Sequence, residues 1–357
     1  MHNIAEQTSD LTYGEAINDA LSIAMAIDPH MICYGLGISD PKAIFGTTRN
    51  LVDKFGSDRV FDMPTSENAM TGVSIGAAIG GIRSVVTHQR LDFFLLAMDQ
   101  LVNSAAKWHY TYGVAVPITI RLIIGRGWGQ GPTHSQNLHS WFAHIPGLKV
   151  VMPSTPRDAK GLLLASIFDP NPVVFLEHRW LHNSKGAVPD NDYRLPLGTA
   201  NIINSGNDVT VIGMSYLTVE ARRAVDYLEK FNISCELIDL RSLKPIDWPL
   251  IHNSVKKTGR LLVLDSGYTT GSLAGEIVAR ITMESFNQLV TAPARLAMPD
   301  VPEPASFGLT KGFYVGAEQI VIQVCKMLGR TDVNILSGSP KEHVPHDVPG
   351  DWFKGPF

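Results

Sequence analysis

A single carboxylate, Glu67, stands where the segment Val60-Phe-Asp-Met-Pro-Thr-Ser-Glu67 turns from strand to helix. Pro64 cannot continue a ladder, and Ser66 is placed to cap the helix that Glu67 opens. A carboxylate there can move protons, yet helix dipole and capping favour an acidic first turn without any chemistry. A histidine, the other side chain suited to proton transfer near neutral pH, follows a glycine-rich loop: Gly125-Arg-Gly-Trp-Gly-Gln-Gly131 runs into Thr133-His134-Ser135-Gln136.

Helical and strand patterns alternate around these groups, which predicts α/β architecture with parallel or mixed sheets in two domains. Strands are expected at Met31 to Tyr34, Val60 to Met63, Ser84 to His88, Ile118 to Ile123, Lys149 to Met152 and Val173 to Glu177. Thr12-Tyr-Gly-Glu15 has the spacing of a capping box at the start of the first helix. The polar stretch Asn183 to Asp192 marks a boundary, so residues 8–190 form one domain. Residues 200–329 form a second, with strands near Val209, Cys235, Arg260 and Ala294. Residues 330–357 read as a tail that is disordered or orders on contact.

The chain of 357 residues is 45% hydrophobic and 18% charged, with a net charge of -4. Neither nucleic acid nor an anionic membrane is an expected partner for that balance. The three cysteines, Cys33, Cys235 and Cys325, lack metal spacing and suit buried thiols. With no long apolar stretch and no basic leader, the expected location is cytoplasmic.

Ser66-Glu-Asn, His134-Ser-Gln, Pro146-Gly-Leu-Lys-Val-Val151, Pro153-Ser-Thr-Pro156, Asp158-Ala-Lys-Gly161 and Asn171-Pro-Val173 occur in a specific order. From about Thr12 to Leu328 the chain thereby resembles the β subunit of thiamine-diphosphate-dependent 2-oxo acid dehydrogenases, members of the transketolase superfamily. The resemblance implies a pyrimidine-binding domain followed by a transketolase C-terminal-like domain. It gives Glu67 the role of protonating N1′ of the cofactor's aminopyrimidine, and Phe93 that of stacking on the ring, although Leu91, Phe93 and Phe94 also suit a helix's buried face. His134 is implied as the acid or base on the substrate side, with Arg126 and Trp128 near substrate. A monovalent cation, potassium, is implied near Ser166, Asp169 and Asn171, where an Asp-Pro-Asn-Pro turn is an alternative account.

The family's Gly-Asp-Gly motif for magnesium and diphosphate is missing from the sequence. The resemblance therefore implies an α subunit that holds magnesium and the diphosphate in an α2β2 enzyme, and a lipoyl-bearing E2 protein as acceptor. Two departures bear on substrate: Gly35-Leu-Gly-Ile replaces an acidic segment, and His88-Gln89-Arg90 replaces apolar residues. If His88, Gln89 and Arg90 face the cofactor cavity, they suit an anionic or polyhydroxylated substrate; otherwise they face solvent or pair across a subunit boundary. Three functions stay open: decarboxylation of a 2-oxo acid with acyl transfer to lipoyl-lysine, transketolase-like transfer to an aldehyde or sugar ketone, and a non-catalytic partner subunit.

Overall fold

Thr12 starts the first helix as its spacing predicts: its hydroxyl accepts from Glu15 N, and Glu15 returns a bond to Thr12 N at 2.8 Å. That helix, α1 (Tyr13–Ile27), buries Ile17, Ala20, Leu21 and Ala24 on one face. The computed structural model describes residues 7–40, 42–126, 129–333, 347–350, 352 and 353. These divide into two compact units, 1–125 with 141–197, and 126–140 with 198–357. The loop that carries His134 thus groups with the second unit, whereas its place in the chain suggested the first.

In the first unit the strands are β1 (Thr8–Thr12), β2 (Ile32–Gly35), β3 (Val60–Asp62), β4 (Ser84–His88), β5 (Ile118–Ile124), β6 (Lys149–Val151), β7 (Val173–His178) and β8 (Lys185–Pro189). Six of them run parallel in the order β6-β7-β5-β4-β2-β3. Every residue of β4, β5 and β7 is buried, as continuous apolar runs in a parallel sheet require. The polar boundary stretch departs from expectation. Within it, β8 pairs antiparallel with β1, from Thr8 opposite Pro189 to Thr12 opposite Lys185.

Two charged residues sit in the middle of this apolar sheet. Arg121 on β5 donates to both carboxylate oxygens of Glu177 on β7, at 2.6 and 3.0 Å, with both side chains fully buried. Burial alone would raise the Glu177 pKa, but Arg121 and His182 hold it below the usual carboxylate value.

The second unit contains β9 (Asn201–Asn204), β10 (Val209–Gly213), β11 (Cys235–Asp239), β12 (Ser242–Lys244), β13 (Leu261–Tyr268) and β14 (Ala294–Met298). Its five-stranded sheet has the order β14-β13-β10-β11-β9, parallel except for β9. The cysteines are buried free thiols, and burial pushes Cys33 up to about 11 and Cys235 to about 12. No helix among the described residues is long and apolar enough to cross a membrane.

Candidate cofactor site

The helix that Glu67 opens runs from Glu67 to Ile79, and we label it α2. Its buried face mixes Met70 and Ile75 with the smaller Thr71, Ser74 and Ala78, and the Ser74 and Ser84 hydroxyls meet at 2.5 Å. The Tyr34 hydroxyl donates to Met70 O at 2.7 Å, and Tyr34, Met70 and Val86 share one apolar cluster. Glu67 is thereby fixed just beyond the carboxyl end of β3. Ser66 corrects the sequence reading, because it occupies the N-cap position but makes no side-chain cap bond.

A cavity of about 510 Å³ opens at the carboxyl ends of β2, β3 and β4. Leu36, Gly37, Asp62, Met63, Thr65, Glu67, Gln89 and Phe93 line it. Ligands in parallel α/β sheets bind at that edge, where loops diverge and helices begin. Phe93 comes from a short helix, α3 (Leu91–Phe94), and remains 37% exposed.

Backbone shape at this edge depends on two glycines. A Cβ on Gly35 would lie 2.2 Å from Thr87 O, so a larger residue would push β2 away from β4. Gly37 has φ of +78°, and a Cβ there would lie 2.2 Å from Gln89 Nε2.

Two carboxylates line the cavity, and their surroundings give them different tasks. Asp62 accepts from Ile38 N at 2.7 Å and Ser39 N at 3.1 Å. Burial acts to raise its pKa, but these bonds and the one from the Ser39 hydroxyl outweigh it and lower the value. Asp62 is thus committed to shaping the loop after β2. Glu67 is only 7% exposed, yet among the described residues its carboxylate has no hydrogen-bond partner. A nearly buried acid that lines a cavity is suited to exchanging a proton with what occupies that cavity.

The strand end before Phe93 differs from its sequence reading. Gln89 lines the cavity, whereas His88 and Arg90 do not. His88 is fully buried edge-on to Phe94, with ring centroids 4.9 Å apart, and burial lowers its pKa to about 4. Arg90 donates to Gly125 O at 2.8 Å and is 4% exposed. Gln89 lies in the bend just after β4.

Ser166, Asp169 and Asn171 have partners that leave a monovalent cation little to bind. Ser166 Oγ donates to Leu162 O, and Asp169 pairs with Lys149 at 2.5 Å while accepting from Asn171 N. Arg83 donates to the carbonyls of Ile167 and Asp169. Two protein cations therefore occupy the place proposed for potassium, and the Asp-Pro-Asn-Pro turn accounts for the sequence pattern.

Arg126 and His134 lie in the second unit, and Trp128 is outside the described residues. Arg126 is 2% exposed and donates to the Tyr314 hydroxyl at 3.2 Å. His134 lies close to the Thr133 hydroxyl, with Oγ1 to Nδ1 at 3.0 Å. Beyond it, His139 Nε2 meets Asp265 Oδ1 at 2.8 Å, both side chains fully buried. Sequence reading did not single out His139, Asp265 or Asp62, since their roles depend on distant partners.

Two family models match the chain: the transketolase pyrimidine-binding domain over residues 9–184 and the transketolase C-terminal domain over residues 198–320. The mitochondrial pyruvate dehydrogenase E1 component subunit beta-1 of Oryza sativa subsp. japonica is 38% identical over 318 residues, covering 87% of this chain and 85% of the relative. The 2-oxoisovalerate dehydrogenase subunit beta 2 of Arabidopsis thaliana is 38% identical, with 91% of each chain covered. The acetoin:2,6-dichlorophenolindophenol oxidoreductase subunit beta of Bacillus subtilis (strain 168) is 36% identical, covering 91% of this chain and 99% of the relative. Among solved structures, a split-gene transketolase described as an inactive beta4 tetramer superposes with a TM-score of 0.75. It covers 89% of this chain and 99% of its own at 22% identity, which speaks to fold alone.

Proposed function

From the premise that this chain belongs to the transketolase-domain family of 2-oxo acid dehydrogenase E1 β subunits, we propose that it is the β half of a thiamine-diphosphate enzyme. In this reading the enzyme decarboxylates a 2-oxo acid and passes the acyl group to a lipoyl acceptor. One observation carries it: Glu67, nearly buried and without a hydrogen-bond partner among the described residues, shares a cavity with the part-exposed Phe93.

The residues present fit the aminopyrimidine half of the cofactor. Glu67 would hold and move a proton at the N1′ nitrogen, and Phe93 would offer its face to the ring. Leu36 and Met63 supply apolar walls, while Asp62 and Gly37 set the shape of the loop. When bound, thiamine diphosphate supplies a nucleophilic carbon and the electron sink that a departing carboxylate requires. We assign His134 the proton transfers on the substrate side, because the histidine after the glycine-rich loop matches the family pattern.

The missing Gly-Asp-Gly motif supports an α subunit that brings magnesium and the diphosphate contacts, in an α2β2 assembly. Transfer to an aldehyde or sugar ketone drew its support from His88, Gln89 and Arg90 and from the unusual C-terminal tail. With Gln89 alone at the cavity, that alternative has less behind it. A non-catalytic role does not account for an acid kept buried and unpartnered.

The chain should be combined with a diphosphate-binding α subunit and assayed on a panel of 2-oxo acids, with a lipoyl domain or an aldehyde as acceptor. Lipoyl-dependent turnover that needs both chains is the expected result. Turnover only with aldehydes would replace the acceptor, and none with any substrate would remove the catalytic reading.

A further inference from the structure

The glycine-rich loop is held to the second unit near both of its ends. At the far end His139 and Asp265 form a buried pair. At the near end Arg126 meets Asp347 of the C-terminal tail, Nη2 to Oδ2 at 3.5 Å, with side chains 1% and 2% exposed. Tyr314 completes this second anchor. It accepts from Arg126 and donates to Glu303 Oε2 at 3.1 Å, and its ring lies under the guanidinium at 5.3 Å.

The tail is seated by contacts of its own. Arg223, on the helix Tyr216–Leu228, donates to Pro349 O at 2.8 Å and stacks 4.8 Å from the Trp352 ring. Glu220 fixes Arg223 at 2.7 Å and also accepts from Ala317 N, joining the seat to the start of the helix Ala317–Leu328. A Cβ on Gly350 would fall 2.2 Å from the Trp352 ring and 2.7 Å from Arg223, so the tail turns tightly over this guanidinium.

We propose that the C-terminal tail is a working part of the enzyme, in which Asp347 is a positioning residue that fixes Arg126 and, through it, the loop carrying His134. Asp347 is the one carboxylate in ion-pair range of Arg126 among the described residues. Without it a buried guanidinium would face only a phenol, and breaking one side of a buried pair leaves the other charge uncompensated. The simplest relief is for Arg126 to swing into water and carry its loop along. Gly129 and Gly131, with φ of +68° and +70°, follow Arg126 in that loop.

Trypsin cleavage of the Arg126–Gly127 bond reads this directly and does not depend on the catalytic assignment. In the full-length chain the bond should resist cleavage. In Asp347→Ala and in Trp352→Ala, which unseats the same tail, cleavage there should accelerate about tenfold or more, because it follows the population of the locally open state. The thermal midpoint should hold, and Asp347→Glu should restore resistance. In the assembled enzyme, resting on the function proposed above, Asp347→Ala should lower kcat for every substrate while leaving the KM for cofactor unchanged. Cleavage of both alanine variants at the unmutated rate would overturn the proposal. So would opening of all tryptic sites together with a collapsed midpoint, since the tail would then support the fold and not the loop.

Discussion

Glu67 and Phe93 enter one cavity from the starts of two different helices, the carboxylate nearly buried and the ring more than a third exposed. This pairing separates Phe93 from its neighbour Phe94, which is fully buried against His88 and against Phe142 at 6.1 Å. Phe93→Ala should therefore cost less than about 1 kcal/mol in stability, as exposed substitutions do. It should weaken cofactor binding by roughly tenfold, the scale of one lost aromatic contact. Phe94→Ala should instead cost about 3–5 kcal/mol in stability. Calorimetric cofactor titration and denaturant midpoints on both variants distinguish the two roles.

His88 makes the fold sensitive to acid. Its pKa of about 4 lies below the ordinary 6.5 because burial disfavours the charged ring. An unfolded chain takes up a proton there below pH 6.5 while the folded chain does not until about pH 4. Stability from this site is complete above pH 6.5 and declines as pH falls toward 4, by about 3 kcal/mol at most. His88→Phe should flatten the stability profile across that window, measured by urea midpoints at successive pH values. A profile as steep as that of the unmutated chain would place the acid sensitivity elsewhere.

Arg121 and Glu177 form a charge pair enclosed in the sheet, and its loss should be severe. Either Arg121→Met or Glu177→Gln alone strands one charge in the sheet, at a cost of about 3–5 kcal/mol. The double variant should recover part of that loss, so a double-mutant cycle on unfolding midpoints should show strong coupling. Additive losses would mean that the two groups act independently.

The parts of the site that sequence made legible depend on local chemistry. Glu67 sits at a strand-to-helix junction, Pro64 fixes where the strand ends, and the capping box at Thr12 needs only residues three apart. Gln89, Asp62 and the loop from Arg126 to Ser140 were harder because distant partners decide them. β4 ends at His88, so strand alternation does not reach Gln89 and Arg90 or say which of them faces the cavity. Asp62 has a role only once the chain after β2 folds over it. The loop's attachment to the second unit rests on Asp265 and Asp347, far along the chain. Likewise, β8 is a strand because β1 pairs with it, although Gly186 and Pro189 are poor strand formers.

The most direct test of the account is Glu67→Gln, which keeps size and hydrogen bonding but removes the titrating proton. In the assembled enzyme, hydrogen–deuterium exchange at C2 of bound thiamine diphosphate should slow by on the order of a hundredfold or more, the usual scale for a positioned acid–base group. Folding and cofactor affinity should change little. Exchange at the unmutated rate in a fully loaded variant would contradict the proton-transfer role and leave Glu67 as a residue that begins a helix.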